Sequence, residues 1–372
     1  MPRDRALLNG AFLNDQVGSV SQCWLASATA RGSDRVAAVT AGKVAIGLVG
    51  LGDIAVRAHL PAIANEPRAY LVAVADLDGE RLAAAAPRGV RATADPESVL
   101  ADPGVDAVVI ATPPSATAGL VRMALEAGKY VLAEKPLALS IAETAAVQDA
   151  PGAAERLQIG LTYRHHPAVE RLRELIADGS LGRPLLIQAA VCDEPAEPLH
   201  NPPAHARRLR SLERLPPIVS DGVHACDRLN YLLGEAPVDV TGWALRTDPG
   251  YATANVNGGV LTYADGTVAR LEVVWLTPVL PPSQFVVTGP LGRAILDPPT
   301  FALTVELAEG RTETLPPPGG KTEVCFALQL ARFVDHCLAG TPPVPGLDEA
   351  LASLELAERV ALAAGLQRPV PA

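Results

Sequence analysis

The chain's capacity for chemistry begins with a phosphate cradle. In Lys43-Val-Ala-Ile-Gly-Leu-Val-Gly-Leu-Gly-Asp-Ile-Ala55 an apolar run, Val44 to Val49, passes directly into Gly50-x-Gly52-x-x-Ala55. Gly50 can take turn dihedrals that a Cβ forbids. Gly52 lets a pyrophosphate approach the backbone, and Ala55 lets the next helix pack closely on the strand. The helix start at Asp53 and Ile54 offers unpaired N–H groups and a partial positive charge to phosphates. A second strand, Leu71-Val-Ala-Val-Ala75, ends in Asp76, 21 residues after Ala55. An acid at that distance grips an adenosine ribose. Strand, glycines, helix, strand and acid in this register predict dinucleotide binding.

Three further segments can supply reacting groups. Glu134-Lys135-Pro136 follows the apolar run Tyr130–Ala133. An ammonium at such a strand end can polarise a carbonyl or alcohol oxygen beside a nicotinamide. Lysine is scarce in this chain: Lys43, Lys129, Lys135 and Lys321 stand against 27 arginines. A lysine retained there draws attention, because its compact, titratable ammonium is what arginine lacks. Ser220-Asp221-Gly-Val-His224-Ala-Cys-Asp227 places 220, 224 and 227 on one face if the segment is a continuous helix. His224 can relay a proton near neutral pH. Asp227 can orient the imidazole or cap a neighbouring loop. In Tyr163-Arg164-His165-His166-Pro167, Tyr163, Arg164 and His165 stand where a substrate cleft between domains is expected. Each segment also has a purely structural reading: a surface lysine in a turn, a core histidine, a polar helix entry. No metal-ligand spacing is present, and no metal is expected.

These groups need a frame. Residues 43–163 read as alternating strands and helices. Val105–Ala111 is a buried strand ending at Thr112-Pro113, which should face the cofactor, and a helix follows from Ser115 to Gly128. Glu134 joins Thr112 and Pro113 at the strand ends. Repeated βα units imply a parallel sheet with a ligand crevice at its carboxyl edge. After Tyr163 the pattern changes to α+β, over 164–372. It gives a helix over 166–178, a strand over 185–191 and a Pro/Arg-rich loop over roughly 193–217. A helix over 220–233 follows, then strands at 238–245, 259–263, 268–276, 285–288, 294–296 and 303–305. Asp265-Gly266 marks a hairpin, and helices near 323–338 and 347–364 close the chain. The expected sheet is open and largely antiparallel, and the terminal helices can return to the first domain.

Composition sets the outer bounds. With 372 residues and 49% hydrophobic content, two domains with full cores are possible. A net charge of −10 without a basic cluster argues against nucleic acid and anionic membranes. No apolar run approaches a membrane helix. Five scattered cysteines without a CxxC fit reduced thiols and a cytoplasmic location. Residues 1–42 carry Arg3 and Arg5, but Asn9, Asn14, Asp15 and Gln16 break the apolar stretch, so a flexible extension is expected rather than a signal peptide.

Together these residues resemble the glucose–fructose oxidoreductase/inositol dehydrogenase family (Gfo/Idh/MocA). The matching pieces run in order: Gly50-Leu-Gly-Asp-Ile-Ala55 with His59-Leu-Pro61, Val72–Asp76, Ala111-Thr-Pro113, Ala127–Pro136 with its Glu-Lys-Pro, Tyr163-Arg164 with Pro167, and Gly222-Val-His224-x-x-Asp227. The resemblance implies a Rossmann domain, and a C-terminal sheet that supplies the substrate wall and the surface of a homodimer or homotetramer. It implies Lys135 as the catalytic lysine and His224 as the acid/base residue, with sugars, inositols and related polyols as substrates. The chain departs from the family pattern at two places. Ser220 stands where the family often has Asp, and Asp221, about 100° further around a continuous helix, could not simply replace it. Thr117 stands where the family often has His. The expected activity is hydride transfer between a nicotinamide and a secondary alcohol or ketone of such a substrate. Asp76 favours NAD over NADP by repelling a 2′-phosphate. The alternatives are an NAD-dependent lyase or hydrolase with transient redox, and a non-catalytic NAD-binding regulator.

Overall fold

The computed structural model describes residues 42–193, 196 and 202–366. The expected extension over 1–42 therefore lies, Gly42 apart, outside the described residues. The first sheet is built from β1 (Val44–Val49), β2 (Ala69–Ala75), β3 (Arg91–Thr93), β4 (Ala107–Ile110), β5 (Tyr130–Ala133) and β6 (Leu157–Ile159). Every pairing is parallel, in the order β3-β2-β1-β4-β5-β6. The near-continuous apolar character of β1, β4 and β5 follows, because helices cover both faces and each of these strands is buried throughout. One face packs Val49, Val108, Ile110 and Val131 against Val121, Ala124 and Leu125 of the helix Pro114–Glu126. The other packs Ile46, Leu48, Val109 and Leu132 against Phe326, Leu330, Phe333 and Val334 of the helix Lys321–Ala339. The strand order reverses between β1 and β4, the place where such sheets open a crevice beyond their carboxyl ends.

The second sheet has eight strands: β7 (Leu186–Asp193), β8 (Asp239–Leu245), β9 (Val256–Thr262), β10 (Val268–Trp275), β11 (Gln284–Gly289), β12 (Gly292–Leu296), β13 (Leu303–Leu307) and β14 (Thr312–Leu315). Its order is β14-β13-β12-β11-β7-β10-β9-β8. Every pair is antiparallel except β7 with β10. One face carries Ile187, Ala189, Leu271, Val273 and Phe285 into a core shared with helices Pro167–Ala177, Gly222–Leu233 and Leu347–Ala363. On the other face Leu186, Trp243 and Leu245 remain 40–55% exposed. Among the described residues, no helix is long and apolar enough to cross a membrane.

Two sequence expectations fail here. The Pro/Arg-rich loop contains a helix, Pro202–Leu212. Proline in a first turn starts a helix rather than breaking it, and the Ala, Arg and Leu that follow are good helix formers. The helix expected over 220–233 is in fact two, Pro217–Ser220 and Gly222–Leu233, broken at Asp221 with φ −109° and ψ −28°.

Candidate active site

The glycine turn forms as its spacing requires. Gly50 has φ +93°, and a Cβ there would lie 2.4 Å from the Ala111 carbonyl oxygen. Its N–H donates to Ala75 at 2.7 Å, tying the turn to β2. At Gly52 a Cβ would meet nothing within 4 Å, so the space over that backbone is open. The helix that follows starts at Ile54 without a side-chain cap, which leaves its first N–H groups for another acceptor. These are the features a dinucleotide pyrophosphate needs, and the residues present fit it. Asp53 pairs with Arg57 at 3.0 Å and lies 3.7 Å from Arg207.

Asp76 does more than terminate β2. Its Oδ2 accepts from the Leu51 N–H at 2.6 Å, and its Oδ1 accepts from the Asp78 N–H at 2.9 Å. The carboxylate thus fixes the glycine turn, with lone pairs left for a ribose hydroxyl. Arg81 approaches to 3.8 Å and is itself half exposed. Thr112 and Pro113 sit at the end of β4, with Thr112 Oγ1 3.0 Å from Thr117 Oγ1. Thr117 also reaches the carbonyls of Thr112 and Pro113, so it stitches this turn from inside.

At the end of β5, Glu134 is buried. Its Oε1 lies 2.8 Å from His59 Nε2, and its Oε2 accepts from the Lys135 N–H at 3.3 Å. Glu134 therefore braces the turn that presents Lys135. The Lys135 Nζ donates to the Ser220 carbonyl and to Asp221 Oδ1, both at 3.1 Å. Asp221 Oδ2 in turn lies 2.7 Å from Arg208. From the sequence, Asp221, a candidate site residue, is expected about 100° around a continuous helix from the place of the family Asp. The helix breaks at Asp221, so the 100° step of a continuous helix does not apply, and its carboxylate faces the lysine. Burial alone would raise the Asp221 pKa. The Arg208 guanidinium and the Lys135 ammonium outweigh it and hold the carboxyl well below the usual range.

His224 lies one turn into the second helix, its ring 4.4 Å from that of Tyr163. Burial and the Lys135 charge push its pKa well below 6.5, against a smaller opposing pull from Asp221. The imidazole is therefore neutral at neutral pH. Among the described residues its buried Nδ1 has no hydrogen-bond partner.

The structure brings Lys135, Tyr163, Ser220, Asp221 and His224 together. It does not bring Arg164 and His165 to them. Arg164 is buried in an ion pair with Asp227, with its Nε 3.1 Å from Asp227 Oδ2, and its guanidinium lies over Tyr231. Ser353 also reaches Asp227. Asp227 thus clamps the turn Thr162–His165 rather than orienting His224. Removing one partner of such a buried pair leaves an uncompensated charge, a loss of about 3–5 kcal/mol. His165 is 1% exposed and its Nδ1 faces Arg332 at 3.0 Å. Burial and that cation push its pKa down to about 3. The sequence reading missed Arg208, which sits in the unexpected helix, and Arg228, although it follows His224 by four residues on the same helical face.

Comparisons with known proteins bear on the family and the fold. Residues 44–160 match the model of the oxidoreductase family with an NAD-binding Rossmann fold, and residues 169–295 match the Gfo/Idh/MocA C-terminal domain. Inositol 2-dehydrogenase 2 of Paenarthrobacter aurescens is 33% identical over 211 residues, covering 54% of this chain and 59% of that protein. Inositol 2-dehydrogenase 4 of Saccharopolyspora erythraea is 34% identical over 239 residues, covering 59% of this chain and 65% of that protein. These matches span a little under two thirds of either relative. The crystal structure of aldose-aldose oxidoreductase from Caulobacter crescentus superposes with a TM-score of 0.72 at 26% identity, covering 87% of this chain and 98% of that one. With both family models matched in order over most of the described chain, the protein belongs to the Gfo/Idh/MocA family of oxidoreductases with an NAD-binding Rossmann fold.

Proposed function

We propose that this protein is an NAD-dependent dehydrogenase that oxidises a secondary alcohol, or reduces the corresponding ketone, on a sugar, inositol or related cyclitol. One observation carries the reading: the Lys135 ammonium, at the carboxyl end of β5, is anchored by the Ser220 carbonyl and Asp221 at the start of the helix that carries His224, and its charge helps to keep that imidazole neutral. A nicotinamide bound there would accept or return a hydride at the carbinol carbon. The glycine turn, Asp53, Ile54, Asp76, Thr112, Pro113 and Glu134 would hold or brace that cofactor. Lys135 stabilises negative charge developing on the carbinol oxygen. His224 accepts the hydroxyl proton, because its low pKa keeps a ring nitrogen free at neutral pH. Asp221 holds the ammonium in place and stabilises the imidazolium once it forms. Tyr163 walls the site against the His224 ring. The test is reduction of NAD by a panel of inositols and sugars, followed by absorbance. No turnover with any of them, alongside tight NAD binding, would reject the reading in favour of a sensor.

Asp76 and the nearby Arg81 set opposite preferences for a 2′-phosphate. Asp76 is the nearer to the turn and is held there by two N–H groups. NAD should therefore bind at least about tenfold tighter than NADP, about 1.4 kcal/mol. Titration should show the gap narrowing in Asp76→Ser and widening in Arg81→Ala. Equal or tighter NADPH binding by the wild type would reject the assignment.

The uncovered face of the second sheet supports assembly as a homodimer or homotetramer. Trp243 packs its ring over Gly258, where a Cβ would meet the indole at 2.7 Å, and with Leu186 and Leu245 it is exposed on a face that also carries Gln188, Arg270 and Glu272. Light scattering should show Trp243→Glu as a smaller species than the wild type; a monomeric wild type would overturn this. The four cysteines among the described residues are free thiols, which fits the cytoplasm.

A further inference from the structure

Arg228 is only 5% exposed, yet among the described residues no carboxylate pairs with it, and its Nε has no hydrogen-bond partner. Its guanidinium lies 4.6 Å from the Phe285 ring centroid and 5.8 Å from those of Tyr163 and Phe301. Lys321 enters the same cage, 5.0 Å from Tyr163 and 5.3 Å from Phe301. Among the described residues its one hydrogen bond goes to the Pro298 carbonyl at 2.9 Å, which leaves two donors. Phe301 holds a φ of +60°, rare for a bulky residue, so backbone strain is spent on placing this ring. A buried guanidinium and a half-buried ammonium in one cage repel, and ring faces offer them attraction but no acceptors. Asp227 offsets part of the Arg228 charge, and Asp193 and Asp297 offset part of that on Lys321. Burial pushes Tyr163 and Cys325 each up to about 12, so both stay neutral.

We propose that Arg228 and Lys321 form an anion-binding subsite beside His224, and that the substrate is an acidic polyol carrying a carboxylate or phosphate away from the reacting carbinol. Tyr163 is the shared wall: one side meets His224, and the two cations lie at its ring. Arg228 also follows His224 by one helical turn, so an anion on the guanidinium fixes which carbinol reaches the imidazole. A planar fork suits bidentate capture of either oxyanion. The placing of the reacting carbon rests on the dehydrogenase reading, whereas the subsite does not.

The test uses the full chain saturated with NAD. Binding is read by calorimetry with inorganic phosphate, gluconate and myo-inositol. Turnover is read with glucose, glucuronate and glucose 6-phosphate. The acidic members should exceed their neutral counterpart in kcat/KM by about a hundredfold or more, and the better of the two names the anion. Phosphate or gluconate should raise the melting temperature of the wild type. Arg228→Met should lose that response while melting no lower in anion-free buffer, because an unpaired buried cation has gone. If Arg228→Met does not fold, Lys321→Met, at a half-buried position, should weaken anion binding at least about tenfold. Anion binding without any turnover would keep the subsite and reject the dehydrogenase reading. Turnover of neutral polyols without anion binding or preference would do the reverse and overturn the proposal.

Discussion

Lys135→Met should lower kcat by about a hundredfold or more, about 2.7 kcal/mol of barrier, while NAD affinity stays nearly unchanged. The change keeps an unbranched side chain at the end of β5 and removes only the charge. The glycine turn, Asp76 and the His59–Glu134 contact do not involve the lost Nζ, so the cofactor cradle persists. A second readout separates lost chemistry from lost structure. In the wild type the Lys135 charge helps to depress the His224 pKa. The acid limb of kcat/KM, where His224 protonates and ceases to act as base, should therefore lie well below pH 6.5. With the ammonium gone, that limb should move to higher pH. The variant also leaves Asp221 with Arg208 as its remaining partner. Wild-type turnover in Lys135→Met would reduce the family membership to shared fold.

What the sequence revealed follows from how local each feature is. The Gly50 turn, β5 and its Glu-Lys-Pro ending are encoded within a few residues, because the dihedrals and the apolar run are local properties. The break at Asp221 is not local in that sense. Residues 220–233 carry helical periodicity, and only the packing of the four-residue helix Pro217–Ser220 shows that Asp221 turns toward Lys135. Ser220, where the family often has Asp, therefore reads as a loss in the sequence, whereas the structure has a carboxylate one residue further on against the Lys135 ammonium. Arg164 misled for the opposite reason. A polar residue at a domain junction suggests a cleft, but its partner Asp227 lies 63 positions away and takes it into the core. β14 escaped notice because Thr312–Leu315 is short, polar and mostly exposed, with no alternation to read.

His224→Asn should match the loss in Lys135→Met, about a hundredfold in kcat, with a distinct pH signature. Asparagine keeps a polar group near the Tyr163 ring and cannot exchange a proton. The acid limb assigned to His224 should vanish rather than move. Direction sharpens the argument. Oxidation needs the neutral imidazole, which burial and Lys135 make the dominant form at neutral pH. Reduction of the ketone needs the imidazolium, which the same environment makes scarce. Wild-type oxidation should thus be flat through neutrality, whereas reduction should quicken as pH falls toward the His224 pKa. Asp221 limits the asymmetry, because its carboxylate is the one nearby group that favours the charged ring. Asp221→Asn should therefore shift the acid dependence of reduction to lower pH, by removing the charge that stabilises the imidazolium. If His224→Asn keeps both the rate and the acid limb, the proton passes through another group, and Tyr163, the ring in contact with His224, would be next to test.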